Sequence, residues 1–410
     1  MSVYTQLTTE QFSNFCQQFG VAFAKAIPIT QGIKNSNWFI QTTEDKEGDY
    51  SYVFTLFEER KPHEIEKMAV ILNQLKGQLP VASPLAKVNN PKEFVAYFDN
   101  KAITLVPKLS GTHPKVATID MCEQMGEALA VLHQTLSTLT PAENYGVELY
   151  PWHLVRDRET QYMPADEARL MHDIWSAYEA LPLASLPKGL CHLDMFADNT
   201  LWDFHSTPDT PKLTGLLDFT EVSVEHYVMD IAITINDFCT TWGNAEHGEK
   251  VEFDEAKKHA FLRGYQRQRP LTPAESKALP IMLAQASVIF WLLRLNVIYY
   301  NRQQGRTGDN IMVKNPDLMK RLASYHWEQV EKSQAKIQYV YLLEHLPDRD
   351  TDKENMQRLK TIGIFDSEQQ AKMAIEQLKT QTGFKDYPND FIIVKYAMNE
   401  LDWSEGFGGN

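Results

Sequence analysis

The chain has 410 residues, 43% of them hydrophobic and 23% charged, a globular balance that excludes extensive disorder and leaves room for two or three domains. Its net charge of −14 repels a phosphate backbone and argues against nucleic acid as a partner. Cys16, Cys122, Cys191 and Cys239 are widely spaced with no C-x-x-C pair, so neither a zinc site nor a disulfide framework is expected, and reduced thiols in a cytoplasmic protein fit the spacing.

The first twenty residues lack the basic and apolar regions of a signal peptide. Thr8 or Thr9, followed by Glu10 and Gln11, predicts the cap of a first helix with Phe12, Phe15, Cys16 and Phe19 on one face and Gly20 at its end. Ile27–Ile29, Asn37–Gln41 and Tyr52–Phe57 then read as strands, with Gly32 in the first turn and Glu44–Asp49 as a charged hairpin tip. A helix follows Pro62 through Ile65, Met68, Ala69, Leu72 and Leu75, and Phe94–Phe98 and Ala102–Val106 complete a small sheet. From Pro114 the periodicity turns helical, with amphipathic helices at Ile119–Leu136 and Ala165–Leu181 and a short β-rich island at Gly189–Asp218. The apolar run Ile281–Ile298 is interrupted by Gln285 and Arg294 and reads as a buried helix rather than a membrane span. Lys314-Asn315-Pro316-Asp317 predicts a turn that starts another helix. Strands at Gln338–Leu343, Thr361–Phe365 and Phe391–Tyr396, a helix at Ser367–Thr380 and the polar stretch Asp348–Glu354 suggest a separate β-β-α-β module.

Cys191-His192-Leu193-Asp194-Met195-Phe196-Ala197-Asp198-Asn199 has the form H-x-D-x-x-x-x-N, the spacing of a kinase catalytic loop. A carboxylate there orients a substrate hydroxyl and takes its proton. The Asn carbonyl five residues on binds Mg²⁺ without adding charge beside the nucleophile, and His192 braces the loop. Asn199–Trp202 and Leu213–Leu217 predict a hairpin that delivers Asp218, a second Mg²⁺ ligand bridging to the ATP phosphates. Alone, the motif competes with ordinary helix capping by Asp and Asn. Its place in an ordered series (small β-rich lobe, helical lobe, loop, hairpin, Asp) points to an α+β, bilobal protein-kinase-like fold with a small C-terminal α+β module. Asp230, at the start of an apolar helix, is expected to accept hydrogen bonds from the loop backbone. Competing phosphate motifs are absent: Gly243-x-x-x-x-Gly248 is followed by Glu249-Lys250, which is no P-loop.

These residues resemble the aminoglycoside/choline-phosphotransferase branch of the kinase fold and, within it, its bacterial homoserine kinases. The resemblance covers about residues 1–330, including Met1–Leu7, Gly32–Phe39, Phe54–Glu58, His192–Asn199, Gly215–Phe219, Asp230–Ile233, Phe290–Leu295 and Lys314–Asp317. It implies transfer of the ATP γ-phosphate to the hydroxyl of L-homoserine, a step of threonine biosynthesis, with Asp194 as base and Asn199 and Asp218 on Mg²⁺. It further implies Asn35, Ser36 and Asn37 in the lid over the phosphates, Leu105, Val106 and Lys108 in the adenine hinge, and Arg294 on the substrate carboxylate.

Three departures stand out. The strand Tyr52–Phe57 has Thr55 or Leu56 where kinases carry a lysine, with Lys34 as a substitute source of charge. Ile289 replaces a further arginine common in the family. The tail is additional. The domain reading is a nucleotide-binding lobe at 1–108, a helical lobe with catalytic loop and substrate site at 109–335, and the appended module at 336–410. Two other readings remain open from the residues: a kinase for another amino alcohol or aminoglycoside, with Trp152, Trp242 and Trp291 as aromatic walls, and a regulatory binding protein. Oligomeric state is not legible.

Overall fold

Thr8 caps α1 (Thr9–Gln18) reciprocally with Gln11: the Gln11 amide donates to Thr8 Oγ1 at 3.2 Å and the Thr8 amide to Gln11 Oε1 at 2.7 Å. Gly20 follows at φ 73°, a left-handed turn suited to glycine, and sends the chain into β1 (Phe23–Pro28). The computed structural model describes residues 5–29, 35–206, 210–242, 251–303, 314–335, 339–346 and 359–398. Gly32, Lys34, the Gly243–Gly248 segment and the polar stretch Asp348–Glu354 lie outside them.

β2 (Ser36–Thr42), β3 (Tyr52–Leu56), β4 (Ala96–Phe98) and β5 (Lys101–Pro107) complete an antiparallel sheet in the order β1-β2-β3-β5-β4. Alternation sorts its faces: Trp38, Ile40, Phe54, Leu56, Ile103 and Leu105 bury against Phe12 and Cys16 of α1. α2 (Pro62–Leu75) begins with proline at a position whose N–H has no helical partner, and its Ile65, Met68, Ile71, Leu72 and Leu75 join the larger core of the helical lobe.

That lobe is organised by α3 (Ile119–Leu136), capped by Thr118, with α4 (Trp152–Glu159) and α5 (Ala165–Glu179) following. The β-rich island forms two small pairs. β6 (Lys188–Cys191) runs against β9 (Ser223–His226), a strand that the sequence pattern did not indicate, and β7 (Thr200–Asp203) pairs with β8 (Lys212–Leu216). α6 (Tyr227–Phe238) is buried almost throughout. β10 (Thr240–Thr241) pairs with β11 (Glu252–Phe253) and leads to α7 (Glu255–Gln268). α3 and α7 approach closely through facing glycines. A Cβ on Gly126 would lie 2.0 Å from the Phe261 carbonyl oxygen, and one on Gly264 would lie 1.9 Å from that of Glu123.

In α8 (Pro273–Gln303) the stretch Pro273–Tyr299 is long and apolar enough to cross a membrane, but Met282, Leu283, Ala286, Val288, Trp291 and Leu292 are buried in this core. Asn236 ties the lobe together: its Nδ2 donates to Leu283 O (2.9 Å) and Ser287 Oγ (3.0 Å), and its Oδ1 accepts from His326 Nε2 (2.9 Å). His326 belongs to α9 (Pro316–Ala335). The result is the expected bilobal kinase-like architecture.

Contacts divide the chain into two compact units, Met1–Trp327 and Glu328–Asn410. In the second, β12 (Tyr339–His345) is the central strand between β13 (Lys360–Phe365) and β14 (Phe391–Ala397), all antiparallel, with α10 (Glu368–Leu378) packed on the sheet. His345, Phe384 and Phe391 form an aromatic cluster at one end of β12.

Candidate active site

The loop that carries the H-x-D-x-x-x-x-N motif leaves β6 and is held by Asp230 in the first turn of α6. Its carboxylate, fully buried, accepts the His192 amide at 2.7 Å, the Leu193 amide at 2.8 Å and His133 Nε2 at 2.9 Å. Leu193 has φ 63°, a conformation disfavoured for a branched side chain, and these bonds hold it there. Burial pushes the Asp230 carboxyl upward, but the hydrogen bonds from His133 and the Leu193 amide outweigh it and keep the group below the usual carboxylate range. Burial drives His133 the other way, toward neutrality, against the pull of Asp230. The neutral ring therefore donates from Nε2 to Asp230 and accepts at Nδ1 from the Tyr265 hydroxyl at 2.7 Å.

Behind Tyr265 the chain of bonds continues. Arg269 donates to the Tyr265 oxygen at 3.2 Å and to Glu275 Oε1 at 2.9 Å, and it stacks 4.6 Å from the Tyr227 ring. Cys191 Sγ, His133 and Asp230 present ligand atoms within 4.8 Å of one another, a metal-like grouping. Here the thiol donates to Glu225 O at 3.4 Å and both His133 nitrogens are engaged, so the grouping is a hydrogen-bond knot.

His192 is buried and neutral, its protonation opposed by burial. Its Nδ1 accepts the Asp194 amide at 3.3 Å, so Nε2 carries the proton and donates to Leu217 O at 3.1 Å. One ring thus joins Asp194 to the residue before Asp218. Asn199 donates from Nδ2 to Asp194 O (2.7 Å) and Asp194 Oδ2 (3.2 Å), which leaves its Oδ1 as an acceptor. The Leu217 amide donates to Asn199 O at 2.9 Å, setting Asp218 beside Asn199. Asp218 itself has φ 54°, and Thr220, standing where a protein kinase has glycine, donates its hydroxyl to Asp218 Oδ1 at 2.5 Å. Asn199 Oδ1 and Asp218 Oδ2 are hard oxygen donors at neighbouring strand ends, a set that fits Mg²⁺.

The small lobe differs more from expectation. Ser36 turns its hydroxyl inward, onto Glu58 at 2.5 Å, in a cluster with Thr5 and Lys101, whose ammonium lies 2.6 Å from Glu58. Of the expected lid, Asn37 accepts from Thr55 at 2.8 Å and reaches the Asn35 carbonyl at 3.4 Å. Thr55, in the lysine position, therefore spends its hydroxyl on Asn37. Glu64 caps the Lys61 amide at 2.9 Å, and Arg60 pairs with Glu221 at 2.6 Å, tying α2 to the turn after Asp218. In the expected hinge, Leu105 is buried with its carbonyl taken by the Leu85 amide at 2.9 Å, and the Lys108 amide donates to Ser51 O at 2.8 Å. Val106 stays paired with Val53 within the sheet. The chain then runs against the β7–β8 hairpin, with Thr112 and Trp202 exchanging amide bonds. Gly111, at φ 112°, is required there, since a Cβ would lie 2.3 Å from Thr214 Oγ1.

Beyond the loop, Arg294 Nη1 donates to Asn315 O at 2.8 Å, and its guanidinium lies 5.8 Å from the Trp242 ring. Burial lowers its pKa to about 10, with Asp237 opposing. Lys314 pairs with Asp198 at 2.8 Å. Asp237, half-buried at the end of α6, accepts the Ala197 amide at 2.6 Å and Trp242 Nε1 at 3.2 Å. Burial pushes its carboxyl up to about 6, against the Ala197 bond and Lys314. The sequence reading passed over Asp237 and His133. A signal for the first was present: it lies seven residues after Asp230, two turns along one helix face, and is charged in an otherwise apolar and neutral segment.

A kinase-type phosphotransferase is the class that this fold and the ordered catalytic-loop motif define. The sequence matches the model of the phosphotransferase enzyme family over residues 25–271. It is 28% identical to the homoserine kinase of Paraburkholderia phymatum, over 78% of this chain and 97% of the relative, and 28% identical to that of Methylobacillus glycogenes, over 78% and 94%. The fold is shared with a microcompartment-associated aminopropanol kinase (TM-score 0.53, 16% identity, 78% of this chain and 98% of that one). It is also shared with choline kinase from Cryptosporidium parvum (TM-score 0.53, 12% identity, 80% and 97%). The chain belongs to the phosphotransferase enzyme family and is an ATP-dependent small-molecule kinase.

Proposed function

We propose that the protein transfers the γ-phosphate of ATP to the side-chain hydroxyl of L-homoserine, as a cytoplasmic enzyme of threonine biosynthesis. The observation that carries this reading is the similarity to homoserine kinases along nearly their whole length. Residues 1–108 bind nucleotide, with Asn35 and Asn37 near the phosphates and Leu105, Val106 and Lys108 at the hinge. Residues 109–335 supply the loop and the substrate site, and residues 336–410 are an appended module. Asp194 orients the substrate hydroxyl and takes its proton as the oxygen attacks phosphorus. Its position is set by the His192 ring and the Asn199 amide. Asn199 and Asp218 hold Mg²⁺, which when bound neutralises charge on the ATP phosphates. Arg294 takes the substrate carboxylate. Catalysis then rests on positioning and charge neutralisation, with no covalent intermediate.

The test is ADP release by the purified protein with Mg²⁺ and ATP, comparing L-homoserine, choline, ethanolamine, L-serine and kanamycin. Selective stimulation by homoserine is expected. A response to another alcohol with none to homoserine overturns the substrate while keeping the chemistry. Asp194→Ala should lose at least about a hundredfold in turnover while ATP affinity is largely retained. Equal loss of both counts against the assigned role.

A further inference from the structure

Arg294 is 8% exposed, yet it makes one hydrogen bond, to the Asn315 carbonyl, and has no carboxylate at ion-pair distance among the described residues. A guanidinium carries five N–H donors, and burying its charge without a paired anion is costly. Asp237 acts on its charge without pairing with it: the Asp237 carboxylate is turned to the Ala197 amide and the Trp242 indole N–H. The Trp242 side chain touches both, bonded to Asp237 through Nε1 and 5.8 Å from the guanidinium. A carboxylate and a guanidinium thus share one aromatic neighbour without forming an ion pair with each other. Asp237 is fastened to the catalytic segment through the Ala197 amide, between Asp194 and Asn199. A free acid and base placed together would collapse into an ion pair. Keeping them unpaired suits a ligand that brings one charge for each.

We propose that Asp237 and Arg294 form a two-pole subsite that reads a zwitterionic alcohol, Asp237 receiving the α-ammonium and Arg294 the α-carboxylate, with Trp242 as their shared neighbour. The inference rests on the homoserine reading and adds the group that recognises the amine. Asp237 is then a specificity-determining residue, and its bond to Ala197 sets the distance from the ammonium pole to the reacting hydroxyl.

The test uses the full-length enzyme with Mg²⁺ and ATP and measures kcat/KM for three alcohols. These are L-homoserine, 4-hydroxybutanoate, which lacks the amine, and 3-amino-1-propanol, which lacks the carboxylate. A site built around a polar group rejects the analogue lacking it by orders of magnitude, so the wild type should prefer homoserine over each by about a hundredfold or more. In Asp237→Asn the preference over 4-hydroxybutanoate should fall by at least about tenfold, mainly through KM for homoserine, while the preference over 3-amino-1-propanol holds. Arg294→Gln should do the reverse. Each preference is a ratio within one variant, so partial loss of folded enzyme cancels. Should Asp237→Asn not fold, Asp237→Glu, which keeps the charge, replaces it and should shift the same ratio by moving the pole. A variant that slows all three alcohols equally, or keeps the wild-type ratios, overturns the subsite alone. A wild type that leaves homoserine unphosphorylated overturns the functional reading, and the subsite falls with it.

Discussion

Replacing Asp230 removes the acceptor of three buried donors: the His192 amide, the Leu193 amide and His133 Nε2, at 2.7, 2.8 and 2.9 Å. Each buried donor left unpaired costs about 1–3 kcal/mol. Leu193, at φ 63°, loses the bonds that hold its strained backbone, which is of order 1 kcal/mol or more. Water entering the vacated space recovers part of this, so Asp230→Ala should cost about 3–5 kcal/mol. Set against a typical total of about 5–15 kcal/mol, that leaves a marginal protein. Asp230→Asn is the kinetic probe. It keeps the volume and one acceptor oxygen but points an NH₂ at a donor, for a loss of about 2–3 kcal/mol. Trp38, Trp175, Trp202 and Trp291 are buried in the first unit, so tryptophan fluorescence in urea reports its unfolding. Because Asp230 aims the loop, kcat of the Asn variant should drop about tenfold to a hundredfold, while KM for ATP moves less than about threefold. An Asn variant with wild-type urea midpoint and kcat would refute the idea that this carboxylate holds the loop.

Asp218→Ala should weaken Mg²⁺·ATP binding at least about tenfold, read by titration calorimetry; unchanged affinity would remove Asp218 from the metal. Gly264→Ala forces a Cβ toward the Glu123 carbonyl at 1.9 Å, so α3 and α7 must separate, and Tm should fall by several degrees, for about 1–3 kcal/mol. An unaltered Tm would show that the helices yield freely. Burial, with the charge of Lys258, lowers His326 to about 3, so it stays neutral in the folded state when the unfolded chain protonates near 6.5. Its contribution is complete above about pH 6.5 and is lost as pH falls toward 3, by up to about 1.4 kcal/mol per pH unit. His326→Gln should flatten that slope by about one proton between pH 6 and 4, and an identical slope would exclude the histidine.

Much of the fold was legible because its signals are local. Alternation along Trp38 and Ile40, the Thr8–Gln11 cap and the apolar spacing of α2 and α3 each lie within a few residues, the distance over which backbone periodicity acts. The candidate loop was legible for the same reason: Asp194, Asn199 and the hairpin to Asp218 are contiguous, and the fold brings them together. What only the tertiary structure decided lies in long-range contact. His133 meets Asp230 from 97 residues away, and Tyr265 meets His133 from 132. No local pattern marks residues whose partners are chosen by how helices pack. The same applies to Ser36, expected at the phosphates but drawn inward by Glu58, and to β9, a polar four-residue strand that exists because β6 offers it an edge. The sequence by itself determined the kinase-like order of elements and the identity of the loop. Tertiary packing decided which charges are paired, and which, like Arg294, have no ion-pair partner among the described residues.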